Sequence, residues 1–277
     1  WVLVVCIALL LLVIAFVVVI QQPFARIGAV RVVGQETLFE DDIAAEVSDV
    51  LDERIAWVLP RDVLIWYPKQ IIRDRLSERF TRIDSIDFRL EQLDDLVLTI
   101  NEHEPAYLWC GAVPSLASMQ EPTQCYYMDE ESYIFDEAPY FSDNVYVKFL
   151  GGDISTEESI EGNRVYDSEI FQTIHQLRSR LLESGMRVNK IAWMGYQDFF
   201  LFIDSIEGQR LGPYSHLRIQ ADVPQERIIE KLQLVFDQEG FIEQLRQRPR
   251  DLYYIDVRFE DKILFKFATV EEILAEE

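Results

Sequence analysis

The chain has 277 residues, 49% hydrophobic and 12% aromatic, enough for one large or two modest cores. It carries 49 acidic against 26 basic side chains, a formal net charge of −23. Such a surface repels DNA, RNA and anionic lipid headgroups, which are recognised by Lys/Arg clusters, so nucleic-acid binding is not expected. Arg178, Arg180 and the run Arg246-Gln-Arg-Pro-Arg250 concentrate positive charge locally and read as solvated helix or loop faces.

Residues 1–20 contain no charged side chain. In a helix such a run spans roughly 30 Å, the thickness of a bilayer's hydrocarbon core. We read residues 1–21 as a single-pass membrane anchor. A cleaved secretory signal competes with this reading, but its apolar region is about 7–15 residues long and ends in a small-x-small site. Here the run continues to Ile20 and meets Gln21-Gln22-Pro23. A buried soluble helix is a third reading. No Lys or Arg precedes Arg26, so the displayed side is not marked as cytoplasmic, and the bulk of the chain is expected outside the cytoplasm. Because the chain opens on Trp1, a cytoplasmic leader is expected ahead of it.

Ala29-Val30-Arg31-Val32-Val33 reads as a strand stopped by Gly34. Thr37-Leu-Phe-Glu40 has the form of a capping box opening a helix. Asp41 and Asp42 suit its first turn, and Ile43, Val47, Val50 and Leu51 recur at helical spacing. Pro68 suits the first position of a second helix lined by Ile72, Leu76 and Phe80. Two alternating runs follow, Ile86/Phe88/Leu90 and Leu96/Leu98/Ile100, joined by a turn at Leu93-Asp94-Asp95. Residues 24–105 thus read strand, helix, helix, strand, strand.

Residues 106–267 read as an α/β unit rich in strands. Val145 to Phe149 is strand-like, and Ile170, Ile174, Leu177 and Leu181 form a helical stripe ended by Gly185. The apolar run Phe199 to Ile203 suits a buried strand, and Asp222 is placed to cap a helix with Ile228, Leu232, Val235 and Phe236 on its core face. Tyr254–Phe259 and Lys262–Phe267 then alternate as a hairpin around Glu260-Asp261-Lys262. Thr269-Val-Glu-Glu272 can cap a short acidic helix at the end of the chain, residues 268–277. Cys6 falls in the apolar span, facing lipid or a neighbouring helix. Cys110 and Cys125 flank the turn-forming stretch Gly111 to Pro114, and outside the cytoplasm they are expected to form a disulfide, contributing roughly 3 kcal/mol. Free buried thiols are the alternative; a zinc site would need two more ligands, and His103 stands alone.

A strand-helix-helix-strand-strand unit directly after a membrane anchor resembles the POTRA module, and the motifs resemble those of the FtsQ/DivIB family of bacterial cell-division proteins. Leu96-Val-Leu-Thr-Ile100 runs into Glu102-His-Glu-Pro105, as the hairpin strand closing that module does. Tyr127-Met-Asp-Glu-Glu-Ser-Tyr-Ile-Phe135 matches a second family hairpin, with Ser132 in place of glycine, and Tyr254-Ile-Asp-Val-Arg-Phe259 matches a third. The cysteine pair and the long segment Pro213–Asp222 depart from the pattern. The resemblance implies an α+β fold: an N-terminal transmembrane helix, a β-α-α-β-β POTRA domain (24–105), a mixed α/β domain with a large, mostly antiparallel sheet (106–267) and an acidic tail (268–277). It implies a cell-membrane protein at the division septum that binds FtsB/FtsL-like partners and helps to assemble the septal wall machinery. In the family the terminal strands receive FtsB, which by position places Phe259, Asp261, Leu264, Phe265 and Lys266 at the contact. Phe259 and Phe265 could equally fill the core, and Lys262 and Lys266 could protect an exposed strand edge.

No catalytic constellation stands out. His103-Glu104 begins like a zinc-protease motif, but Tyr107 stands where the second histidine is required, and Pro105 breaks the helix. Neither a Gly-x-Ser-x-Gly elbow nor a glycine-rich phosphate loop occurs. The adjacency of Ser215 and His216 does not aim one at the other, and Asp129-Glu130-Glu131 reads as a solvated turn. A non-enzyme without cofactor or metal is expected. The alternatives are a POTRA-bearing receptor for secretion or membrane-protein biogenesis, and a tethered wall hydrolase.

Overall fold

The computed structural model describes residues 1–55, 59–92, 94–113, 124–141, 145–152 and 160–276. The chain divides into two units, Trp1–His103 and Glu104–Glu277. Helix α1 (Val2–Ile20) is the one described helix long and apolar enough to cross a membrane, and its large side chains are mostly exposed.

In the first unit, strand β1 (Ala29–Val33) leads to α2 (Glu40–Asp52), the small hairpin β2 (Arg54–Ile55) and β3 (Leu59–Pro60), α3 (Lys69–Arg79), β4 (Ile83–Glu91) and β5 (Asp95–Glu102). The sheet order is β1-β5-β4, with β1 parallel and β4 antiparallel to β5. The last strand is therefore central, and Leu96, Leu98 and Ile100 are fully buried. Ile43, Val47 and Val50 of α2 and Ile72 and Leu76 of α3 join them in one core.

The expected capping box at Thr37 and Glu40 does not form. Helix α2 starts at Glu40 behind an extended Phe39, with no side-chain cap. The amides of Glu36, Thr37 and Leu38 instead donate to one oxygen of Glu102, at 2.8, 2.9 and 3.0 Å. The Thr37 amide, which a capping box would pair with the Glu40 carboxylate, is thus taken by Glu102, while Glu40 accepts from the Val32 amide (3.4 Å); Arg82 fixes the Glu102 carboxylate from behind (3.2 Å). Burial disfavours its charge, but the three amides and Arg82 outweigh that and hold the Glu102 pKa down at about 2. Pro68 lies one position ahead of α3, its carbonyl accepting the Ile72 amide, and Asp95 belongs to β5 rather than to the turn. Leu93, Pro114 and Glu277 lie outside the described residues.

The second unit contains β6 (Tyr107–Trp109), β7 (Cys125–Met128), β8 (Ile134–Ala138), β9 (Val147–Leu150), α4 (Ser168–Glu183), β10 (Met186–Gly195), β11 (Asp198–Ile206), β12 (Gln209–Arg210), β13 (His216–Gln220), α5 (Gln225–Phe236), α6 (Glu239–Gln247), β14 (Leu252–Asp256), β15 (Leu264–Phe267) and α7 (Val270–Glu276). The sheet runs β15-β14-β13-β11-β10-β9-β6-β7-β8, with β12 paired to β11. Its pairings are mixed: β13–β14, β9–β10 and β6–β9 are parallel, the others antiparallel. The run Phe199 to Ile203 lies in β11 and is buried on both faces. Phe199, Leu201 and Ile203 join the main core with α4 and α5, while Phe200 and Phe202 join a smaller cluster with Leu108 and Leu150.

Asp167 caps α4 by accepting from the amides of Glu169 and Ile170, and Gly185 (φ +81°) follows its end. Asp222 does not cap α5, because the chain passes through Pro224 first and its carbonyl takes the Ile228 amide. Cys110 and Cys125 are joined in a disulfide beside the β6–β7 pairing. In the β7–β8 hairpin Asp129 is not solvated: its carboxylate accepts from the amides of Glu131 and Tyr133. Ser132 has φ +63°, and its buried hydroxyl donates to Tyr166 O.

The final hairpin is shorter than its alternating sequence. Strand β14 ends at Asp256, and Val257 and Phe259 fall in the loop 257–263, because Lys231 of α5 takes the carbonyls of both. Residues 268–276 of the acidic tail are folded onto the second unit. Thr269 and Glu272 form the expected capping box, and α7 buries Ile273 against Tyr253 and Ala268.

Candidate functional site

Strand β15 is the terminal strand of the sheet, with no strand on its outer side among the described residues. Its register on β14 pairs Asp256 with Leu264, Ile255 with Phe265 and Tyr254 with Lys266. Alternation then separates the side chains. Phe265 turns inward, half-buried, its ring 5.0 Å from Phe241 and edge-on to it; Phe267 packs on the same ring. Leu264 and Lys266 lie on the other face. Leu264 is 40% exposed, and the Lys266 ammonium reaches toward the Tyr253 ring.

The loop entering β15 is held from beneath. Lys231, only 7% exposed, donates to Val257 O (2.9 Å) and Phe259 O (2.6 Å). Burial, then the nearby Arg227, lower its pKa. Arg227 adds a bond to Glu260 O. Arg258 grips Asp256 through two nitrogens and Asp198 through a third. The hydrogen bonds to Asp256 raise its pKa further, so this guanidinium stays charged. The side chain of Phe259 projects from this anchored backbone, 37% exposed, with the Lys262 ammonium over its ring. Asp261 is exposed in the same loop.

The expected contact residues therefore divide. Phe259, Asp261 and Leu264 present side chains to solvent, Lys266 lies across a tyrosine, and Phe265 belongs largely to the core. The sequence reading missed Lys231 and Arg258. A lysine three residues after Ile228 and four before Val235, on the buried stripe of α5, was the available signal.

Behind the edge, β13 and β14 carry a stack of rings and cations. The β14 bulge between Leu252 and Tyr254 puts the Tyr253 and Tyr254 rings side by side, 5.3 Å apart. Arg218 lies 4.0 Å over Tyr254, and the ring of His216 stacks on Phe200. His216 Nδ1 bonds the Tyr214 carbonyl and its Nε2 accepts from Arg218 Nε, which makes it the neutral tautomer protonated on Nδ1. Burial is the main cause holding its pKa down at about 4.

Ser215 donates to Leu252 O, so its hydroxyl does not address His216. Among the described residues no group of three or more His, Cys, Asp or Glu side chains is arranged to hold a metal ion. No protein-family model matches the chain, and no curated protein matches its sequence.

Proposed function

We propose that this chain is a non-catalytic, membrane-anchored scaffold of the FtsQ/DivIB kind, which binds FtsB/FtsL-like single-pass proteins and helps to assemble the septal wall machinery. The observation that supports the reading is the terminal strand β15, bordered by exposed Leu264 and by a loop whose backbone is pinned while its Phe259 side chain projects. A partner strand added there gains main-chain hydrogen bonds, and the side chains beside the edge supply selectivity. The apolar helix α1 supports display from a membrane. The order strand-helix-helix-strand-strand in the first unit is compatible with a POTRA module at the membrane surface.

The test has a cellular and a molecular arm. A fluorescent fusion should form a midcell band in dividing cells; even distribution around the envelope would argue for the secretion-receptor reading instead. In the purified full chain, Leu264→Pro should abolish binding of the FtsB-like partner while thermal unfolding stays close to that of the parent. Retained affinity in that variant means that β15 is not the docking strand.

A further inference from the structure

In the first unit the end of helix α1 is packed against the fold rather than joined to it by a linker. Ile20, its last residue, is 2% exposed, and a single 3₁₀ turn at Pro23–Ala25 leads on toward β1. The residues that follow are tied to the loop ahead of α3. The Leu64 amide donates to Ala25 O (3.1 Å), the Ile27 amide donates to Asp62 O (2.8 Å), and Arg26 pairs with the Asp62 carboxylate (2.7 Å). Ala25 is five residues beyond Ile20, so the loop bonded to it stays within about 20 Å of the helix end however the helix leans.

The loop also reaches back along the helix. The ring of Trp66 lies 5.7 Å from that of Phe16. Phe16 is about one turn before Ile20, roughly 6 Å along the helix axis. Beside this contact Ile65 is 84% exposed, and Phe24, on the 3₁₀ turn, is 70% exposed. One exposed apolar side chain is ordinary, but three gathered at the end of an apolar helix form a patch.

The charge around the patch runs against that of the chain, which has 49 acidic and 26 basic residues. Residues 21–35 contain Arg26 and Arg31 and no acid, and residues 54–73 contain Arg54, Arg61, Lys69 and Arg73 against Asp62 alone. Arg26 and Arg54 border a cavity of about 300 Å³ together with Gln21, the residue after the helix. Tryptophan against the last turn of a membrane-length helix, apolar side chains beside it and cations just beyond match the layers of a bilayer surface: hydrocarbon, interface and phosphate.

We propose that Phe24, Ile65 and Trp66 enter the bilayer interface on the displayed side. Loop 62–67 is then a second membrane contact that holds the first unit down on the lipid, with Arg26 and Arg54 at the level of the headgroup phosphates. This rests on the anchoring of α1 proposed above and is independent of the β15 edge.

The test uses the full chain in vesicles of phosphatidylcholine and phosphatidylglycerol, with and without lipid carrying a doxyl quencher just below the headgroup in both leaflets. Cys6 is the one free thiol, since Cys110 and Cys125 are bridged, so a nitrobenzoxadiazole label on it reports on α1 itself. In a Cys6→Ser background the same label is placed at Ile65→Cys, Phe24→Cys or Asp87→Cys, all exposed positions at which thermal unfolding should stay close to that of the parent. Asp87 is the control: it pairs with Thr99, which faces Val33, so it stands at the far end of the sheet from the start of β1. Emission from labels at 6, 24 and 65 should fall by at least about half with the quencher present, and that from 87 by less than about a tenth. Quenching at 6 without quenching at 24 and 65 overturns the proposal and leaves the anchor standing. No quenching at 6 removes the anchor, and the proposal falls with it. A blue-shifted but unquenched label at 65 means that protein rather than lipid covers the loop, and quenching at 87 equal to that at 65 means that no particular face meets the membrane; either result overturns the proposal.

Discussion

Replacing Glu102 by glutamine should loosen the first unit in a pH-dependent way. One oxygen of the wild-type carboxylate takes three consecutive amides, and the other faces Arg82. Its pKa lies at about 2 rather than 4.5. Fully expressed, that difference corresponds to about 3 kcal/mol at neutral pH; solvent screening at the unit's surface reduces the expectation to about 1–2 kcal/mol. In a domain of this size the melting temperature should fall by roughly 5–15 °C. Because the folded pKa is depressed, the contribution is complete above 4.5 and is lost as pH falls toward 2. The gap between parent and Glu102→Gln should therefore be widest at neutral pH and close in that acidic window. Thermal unfolding of the full chain across this range measures the gap, and amide hydrogen exchange at Glu36, Thr37 and Leu38 locates it. A gap that stays constant with pH, or unchanged protection of those three amides, would refute the reasoning.

Lys231→Met leaves the buried carbonyl of Val257 and the partly buried one of Phe259 without this donor and should cost about 1–3 kcal/mol, with faster exchange at residues 257–263 and weaker partner binding. Ser132→Gly removes the side chain from a positive φ but gives up the bond to Tyr166, two effects of about 1 kcal/mol that nearly cancel; Ser132→Ala keeps the strained φ and loses the bond, so chemical denaturation should rank it below Ser132→Gly. His216, neutral down to about pH 4, should destabilise the second unit as pH falls from 6.5 toward 4, by up to about 3 kcal/mol, because the unfolded chain takes up the proton first. A ring titration by NMR with a midpoint near 6.5 would contradict this.

Local periodicity carried the elements well: the helical stripes of α2, α4 and α5 and the strand β1 lie where their apolar spacing puts them. What local pattern cannot contain is competition from distant groups. The Thr37 amide goes to a carboxylate 65 residues away rather than to Glu40, and the alternation past Asp256 gives way to an ammonium on α5. The edge position of β15 was legible because a chain that ends in a hairpin tends to leave its last strand outermost. The division of its side chains between core and solvent was not, since Phe265 and Leu264 are both apolar and only the placement of Phe241 separates them.

The parallel pairing of β1 with β5 gives the first unit a defined mechanical geometry. Tension between the apolar helix and the second unit enters the sheet at the start of β1 and leaves it at the end of β5. In a parallel pair those two points lie at opposite ends of the shared ladder. The load is therefore a shear, borne together by the registers from Ala29–Asp95 to Val33–Thr99. An antiparallel pairing of the same strands would put both points at one end and open the ladder like a zipper, one bond at a time. A pull on this chain must slide a whole strand before the unit opens.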